Sequence, residues 1–161
     1  MHTLTWCNAV QANDLQVGFA ELPITPPVID QWVDVNNDAQ FDPDVDTWTD
    51  INGNGVFEPV WIAGFQKGRA AQGIKDDLMA VAVVIDDGDQ RIAVVAVDTI
   101  GLMRKFVLDV RQSTNKEWGL DHLMIHATHN HEGPDTQGLW GPDLFESGVN
   151  QGYMRELKGS I

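Results

Sequence analysis

The chain has 161 residues, enough for one domain with a real core, and its 43% hydrophobic content with six tryptophans excludes wholesale disorder. Ten basic against twenty-four acidic side chains leave a formal charge of -14, a field that repels nucleic acid and anionic membranes and suits cations or neutral ligands. The single cysteine, Cys7, excludes an internal disulfide and a thiolate zinc cluster.

The start, "MHTLTWCNAVQAND", has neither a basic leader nor a sustained apolar run, so no signal peptide is visible. No apolar run is long enough to span a bilayer. "LQVGFAEL" (15–22) predicts a strand, ended by the "PITPP" turn, because proline cannot donate to a sheet ladder. Residues 30–59 are acidic, Asn/Gly-rich and irregular, and no Lys or Arg occurs before Lys67. "AGFQKGRAAQG" (63–73) is expected to be a flexible connector with glycines at sharp turns.

Regular structure follows. "LMAVAVVID" (78–86) and "RIAVVAVD" (91–98) are continuous valine-rich runs, expected to be central strands buried on both faces and joined as an antiparallel hairpin by "DDGDQ". Leu102, Met103, Phe106, Val107 and Val110 fall at helical spacing, predicting an amphipathic helix of about four turns, with Gly119 as its stop. "HLMIHA" (122–127) predicts a third strand, and "GYMRELKG" (152–159) a last helix. The fold class is therefore α/β, with a hairpin-helix-strand sheet core.

Within the acidic insert two segments align without a gap: "WVDVNNDAQFDP" (32–43) and "WTDINGNGVFEP" (48–59). Oxygen side chains at alternate positions, Asp34, Asn36 and Asp38 in one copy and Asp50, Asn52 and Asn54 in the other, match the first liganding positions of a calcium loop. Asp42 and Glu58 fall at the ninth loop position. The bidentate glutamate at position twelve is absent, since Val45 and Trp61 stand there. The calcium expected here is structural; the competing expectation is a solvated loop of Asx turns anchored by Trp and Phe.

"HATHNHEGPDTQGLWGPD" (126–143) lies at the end of the third strand. In an extended strand His129 and His131 face the same side, and two imidazoles so placed begin a zinc centre. Asp98 ends the preceding strand near the same sheet edge. His2 and His122 are expected to be hydrogen-bonded surface or core residues, whereas His126 is expected to pack or to support a ligand.

These residues suggest a family. "THNHEGPDTQGLWGP" (128–142) resembles the T-H-x-H-x-G-P segment of neutral/alkaline (non-lysosomal) ceramidases and their bacterial relatives. "VGFAELPITPP", "WIAGFQKGRAAQGIKDDLMA" and "GVNQGYM" are similar to other segments of that family, so the resemblance covers nearly the whole chain. It implies a layered, ceramidase-like N-terminal domain, here incomplete, with residues 30–59 as an insertion. It also implies zinc-dependent cleavage of the N-acyl amide bond of a ceramide-like lipid. His129 then corresponds to a zinc ligand, and His131 to the active-site histidine beside the metal. Further family ligands (His, Glu and Tyr) come later than residue 161, so the chain is expected to need the remainder of the catalytic domain and to be inactive alone. An exported location goes with the family. Glu132 and Asp135 are expected to make the pocket mouth acidic. The alternatives are a metallo-β-lactamase-like zinc hydrolase, whose H-x-H-x-D-H motif departs from this one after His131, and a non-catalytic calcium-stabilised module. An amidohydrolase barrel fits less, because its H-x-H sits on the first strand.

Overall fold

The computed structural model describes residues 15–161; Cys7, His2 and the stretch read for a leader lie outside the described residues. The elements run β1 (Gln16–Pro23), β2 (Gln31–Val33), β3 (Thr47–Thr49), β4 (Met79–Asp86), β5 (Arg91–Val97), α1 (Arg104–Ser113), β6 (His122–Ala127) and α2 (Gln151–Ser160). This is a mixed α/β chain whose core is mostly sheet. None of its described helices is long and apolar enough to cross a membrane.

The main sheet has the order β1-β4-β5-β6, with the valine-rich strands at its centre. β4 and β5 pair antiparallel, and their turn is closed by the Asp86 carboxylate, which accepts from the Gly88 amide at 2.8 Å. That bond, helped by Arg91, holds the Asp86 carboxyl below the usual carboxylate range. β6 lies parallel to β5, so the chain between them must cross over, and α1 makes that crossing.

One face of this sheet is covered. Ala80, Val95 and Val97 are buried against Leu78, Ile24, Tyr153 and Leu157, with Phe106, Leu123, Ile125 and Met154 packed around them. The α2 helix starts on Asn150, whose side chain accepts from the Tyr153 amide at 3.0 Å, as an N-cap should. Burial raises the pKa of the Tyr153 phenol well above its ordinary value.

The opposite face differs from expectation. Register places Phe19, Val83, Val94 and Met124 in one row across all four strands, and Val17, Ile85, Ile92 and His122 in the next. Phe19 is 66% exposed and Met124 53% exposed, so no described element packs over this apolar side. Continuous hydrophobicity therefore marks strands with two apolar faces, of which the described residues cover one.

The crossing helix is also shorter than its apolar spacing predicts. Met103 is its extended N-cap, because the preceding segment is held in the loop: the Ile100 and Gly101 carbonyls accept side-chain bonds from His129 and Thr136. Its C-cap is Thr114, and Gly119, at φ 62°, ends a separate 3-10 turn at Lys116–Trp118. The expected flexible connector is packed instead. Ala63, Ala70 and Ala71 are buried, and the segment is bridged at Trp61 to Ala70 and at Ile62 to Pro134.

Candidate metal centre

β6 stops at Ala127, two residues before the first histidine of the pair. The Thr128 amide still donates to the Val97 carbonyl at 2.9 Å, and the Asn130 amide to Thr99 at 3.1 Å. Between them His129 takes φ 66°, a left-handed conformation costly for a residue with a Cβ. Strand alternation is thus not what brings the histidines together; a turn does. The His129 and His131 rings lie 4.8 Å apart between centroids, inclined by 69°.

Each ring is held by a different part of the chain. His129 Nδ1 lies 2.8 Å from the Ile100 carbonyl oxygen, which can only accept, so Nδ1 donates and, in the neutral ring, Nε2 is the nitrogen with the lone pair. That is the arrangement of a metal-ligating histidine fixed by its other nitrogen. His131 packs on Gly64, where an added Cβ would sit 2.5 Å from the ring's Cγ, and it meets the Phe65 ring edge-on at 5.2 Å. Glycine at 64, φ 111°, is required on both counts.

Of the two acids expected at a pocket mouth, Asp135 is withdrawn from the surface and Glu132 stays on it. Asp135 is fully buried, its two oxygens accepting from the Gln137, Gly138 and Trp140 amides at 2.8–2.9 Å. It shapes the loop, because a buried carboxylate needs such donors. Glu132 pairs with Arg69 at 2.7 Å. Asp98 does reach this edge, but its oxygens accept from Thr128 Oγ1 and the Met79 amide, both at 2.9 Å. His126 does not pack as one expectation had it: it is exposed on the open sheet face. Asn130, Glu132, Gly133 and Pro134 line a cleft of about 520 Å³ with Asp76 and Asp77, and neither histidine ring lines it. The Thr99 hydroxyl beneath this loop is buried and, among the described residues, meets no hydrogen-bond partner.

In the insert, β2 and β3 pair with Trp32 opposite Trp48. Phe41 and Phe57 stack at 4.1 Å between them, so the repeat builds its own small core, with Trp32 Nε1 tied to the Ala70 carbonyl. The two copies have the same backbone path. Asn37 and Ala39 take φ 60° and 61° where Gly53 and Gly55, sixteen residues on, take 74° and 77°. Asp34 accepts from the Asp38 and Ala39 amides, as Asp50 does from Gly53, Asn54 and Gly55. Asn36, Asp38, Asn52 and Asn54 likewise accept from amides two residues on. Asp42 caps Asp44, whereas Glu58 accepts from the Asn52 and Asn54 side-chain amides at 2.6 Å.

Two residues closing these loops stand outside the aligned segments. Buried Asp46 accepts from the Val35 and Asp42 amides of the first copy, and buried Asp30 from Ile51 and Glu58 of the second. Each stands two residues before a tryptophan, so the aspartate that leads into one copy closes the other. The signal was the D-x-W shared at 30–32 and 46–48.

The two rings are neighbours, yet a catalytic zinc site takes about three protein ligands. Among the described residues no three His, Cys, Asp or Glu side chains gather into a cage. The insert oxygens accept amide bonds, but a carboxylate has about four lone-pair sites, so these bonds leave acceptor capacity. No protein-family model matches the chain, and no curated protein matches it.

Proposed function

We propose that this chain is the N-terminal portion of a zinc-dependent, ceramidase-like hydrolase that cleaves an N-acyl amide bond of a lipid. The observation that carries this reading is the pair of imidazoles 4.8 Å apart, one with Nδ1 committed to Ile100 and Nε2 left to bind. Zinc held there supplies Lewis acidity toward the amide carbonyl. His129 serves as a ligand whose ring is kept in one tautomer by a backbone oxygen. His131 stands beside it, where its ring can bind substrate or hand a proton to the leaving amine. The missing ligands and the layer over the open sheet face are assigned to the remainder of the catalytic domain. The exposed Phe19 and Met124 row supports that layering, because an apolar sheet face is stable when another element covers it. In the insert, calcium is assigned a structural place at Asp34, Asn36, Asp38 and Asp42 and at Asp50, Asn52, Asn54 and Glu58.

The test is metal titration of the purified chain beside His129→Ala, with zinc and calcium measured separately. The expected result is a zinc affinity lowered more than about 100-fold in the variant, since a direct ligand matters more than the groups that orient it, with calcium uptake unchanged. Equal zinc affinity in the two proteins overturns the assignment of His129. Uptake of calcium with no zinc in either protein favours a non-catalytic module.

A further inference from the structure

His131 is held by a turn more than sixty residues upstream. Three residues there act on it at different points. Gly64 supplies the flat surface on which the imidazole lies, and Phe65 sets the ring's edge. Arg69 links the rest: its Nη2 is 2.7 Å from Glu132 Oε2, its Nη1 is 3.4 Å from the His131 carbonyl, and its Cζ lies 5.0 Å from the Phe65 ring centroid. The Arg69 side chain is 14% exposed, although its partner Glu132 is 64% exposed. A guanidinium so covered works by its plane and its several donors together, which an exposed ion pair does not. The turn is itself pinned, because the Ile62 amide donates to the Arg69 carbonyl at 2.8 Å and the Ala63 amide to Gly133 at 2.9 Å.

We propose that Gly64, Phe65 and Arg69 form a clamp that sets the His131 ring against His129, with Arg69 as its positioning residue. This rests on the metal reading only for its consequence, since the clamp exists without a metal. His129 is held from the other side by Ile100, so the two rings have separate supports. Disturbing Arg69 moves one ring and leaves the other. The clamp thereby decides whether the pair converges, which a general loss of stability would not do to one histidine alone. Lysine in place of Arg69 keeps the charge but has neither the planar face nor the fork.

The experiment is nuclear magnetic resonance on the full 161-residue chain with labelled histidine and phenylalanine rings, without metal. In the unaltered chain the expected ring-to-ring signals are His131 to Phe65 and His131 to His129. In Arg69→Ala both signals weaken toward background while the His129 Nδ1 proton resonance stays, and Arg69→Lys restores them only in part. Phe65→Leu, which keeps an apolar side chain, gives a second route to the same weakening if Arg69→Ala does not fold. Unchanged ring-to-ring signals in the variant that folds overturn the clamp, as does full recovery with Arg69→Lys. Zinc affinity read on the same samples falls about 10-fold as the signals weaken. If the signals weaken in Arg69→Ala while zinc binds it and the unaltered chain equally tightly, the clamp stands and the metal reading of the pair is overturned instead.

Discussion

The acidic insert and the histidine loop both carry side chains suited to metals, yet they are built in opposite ways. In the insert the donor oxygens also tie the loop together, each accepting amides a few residues away. The histidine loop draws its supports from distant chain: Ile100 for His129, and Gly64, Phe65 and Arg69 for His131. A self-tied loop keeps its shape whatever it binds. A loop held from elsewhere keeps its shape only while its supports do. Among the insert's acid oxygens the exchanged aspartates Asp30 and Asp46 reach furthest, and there the contrast is most easily broken.

The largest expected effect is at that exchange. Asp46→Ala leaves two backbone donors without their carboxylate partner and is expected to cost about 3 kcal/mol, measured by urea unfolding. Its signature is local: amide exchange should quicken at Val35 and Asp42, in the first copy, although Asp46 leads into the second. Asp30→Ala should do the same at Ile51 and Glu58. Faster exchange confined to the copy that the mutated aspartate leads into would refute the exchange. Next comes Gly64→Ala, whose new Cβ would meet the His131 ring at 2.5 Å on a backbone at φ 111°. It is expected to cost about 2 kcal/mol in the same unfolding measurement, with the damage in residues 129–133 and the insert intact.

This contrast explains what could be read in advance. The hairpin, β6 and the last helix follow from local apolar pattern, because hydrophobic period is a property of neighbours in sequence. The doubled D-x-N-x-(D/N) run was legible for the same reason. His129 and His131 were legible as a pair, but not the route that joins them. Strand alternation would have aligned their rings, whereas the chain turns at φ 66° and the rings are inclined by 69°. Residues 63–73 looked like a connector because Gly64 and Gly68 signal turns, and nothing local says that a turn will pack on a histidine far along the chain. Asp135 looked like an exposed acid for a similar reason; its burial depends on amides that converge only once the loop has closed. The open sheet face was hidden because apolar pattern reports that a face can be buried, not by what.

The smallest effect concerns the two copies of the insert. They share a backbone path, yet at the second left-handed position one copy has Ala39 at φ 61° and the other Gly55 at φ 77°. A Cβ in that conformation costs roughly 1–2 kcal/mol, which glycine avoids, while glycine's freer unfolded chain returns part of the gain. Ala39→Gly is therefore expected to stabilise the chain by about 1 kcal/mol in thermal or urea unfolding. Gly55→Ala should destabilise it by a similar amount, since the space around Gly55 is open and only the backbone angle resists the new side chain. Opposite signs at these equivalent positions are what a common path requires. The same sign at both would mean that the copies, though alike in sequence, do not carry the same strain.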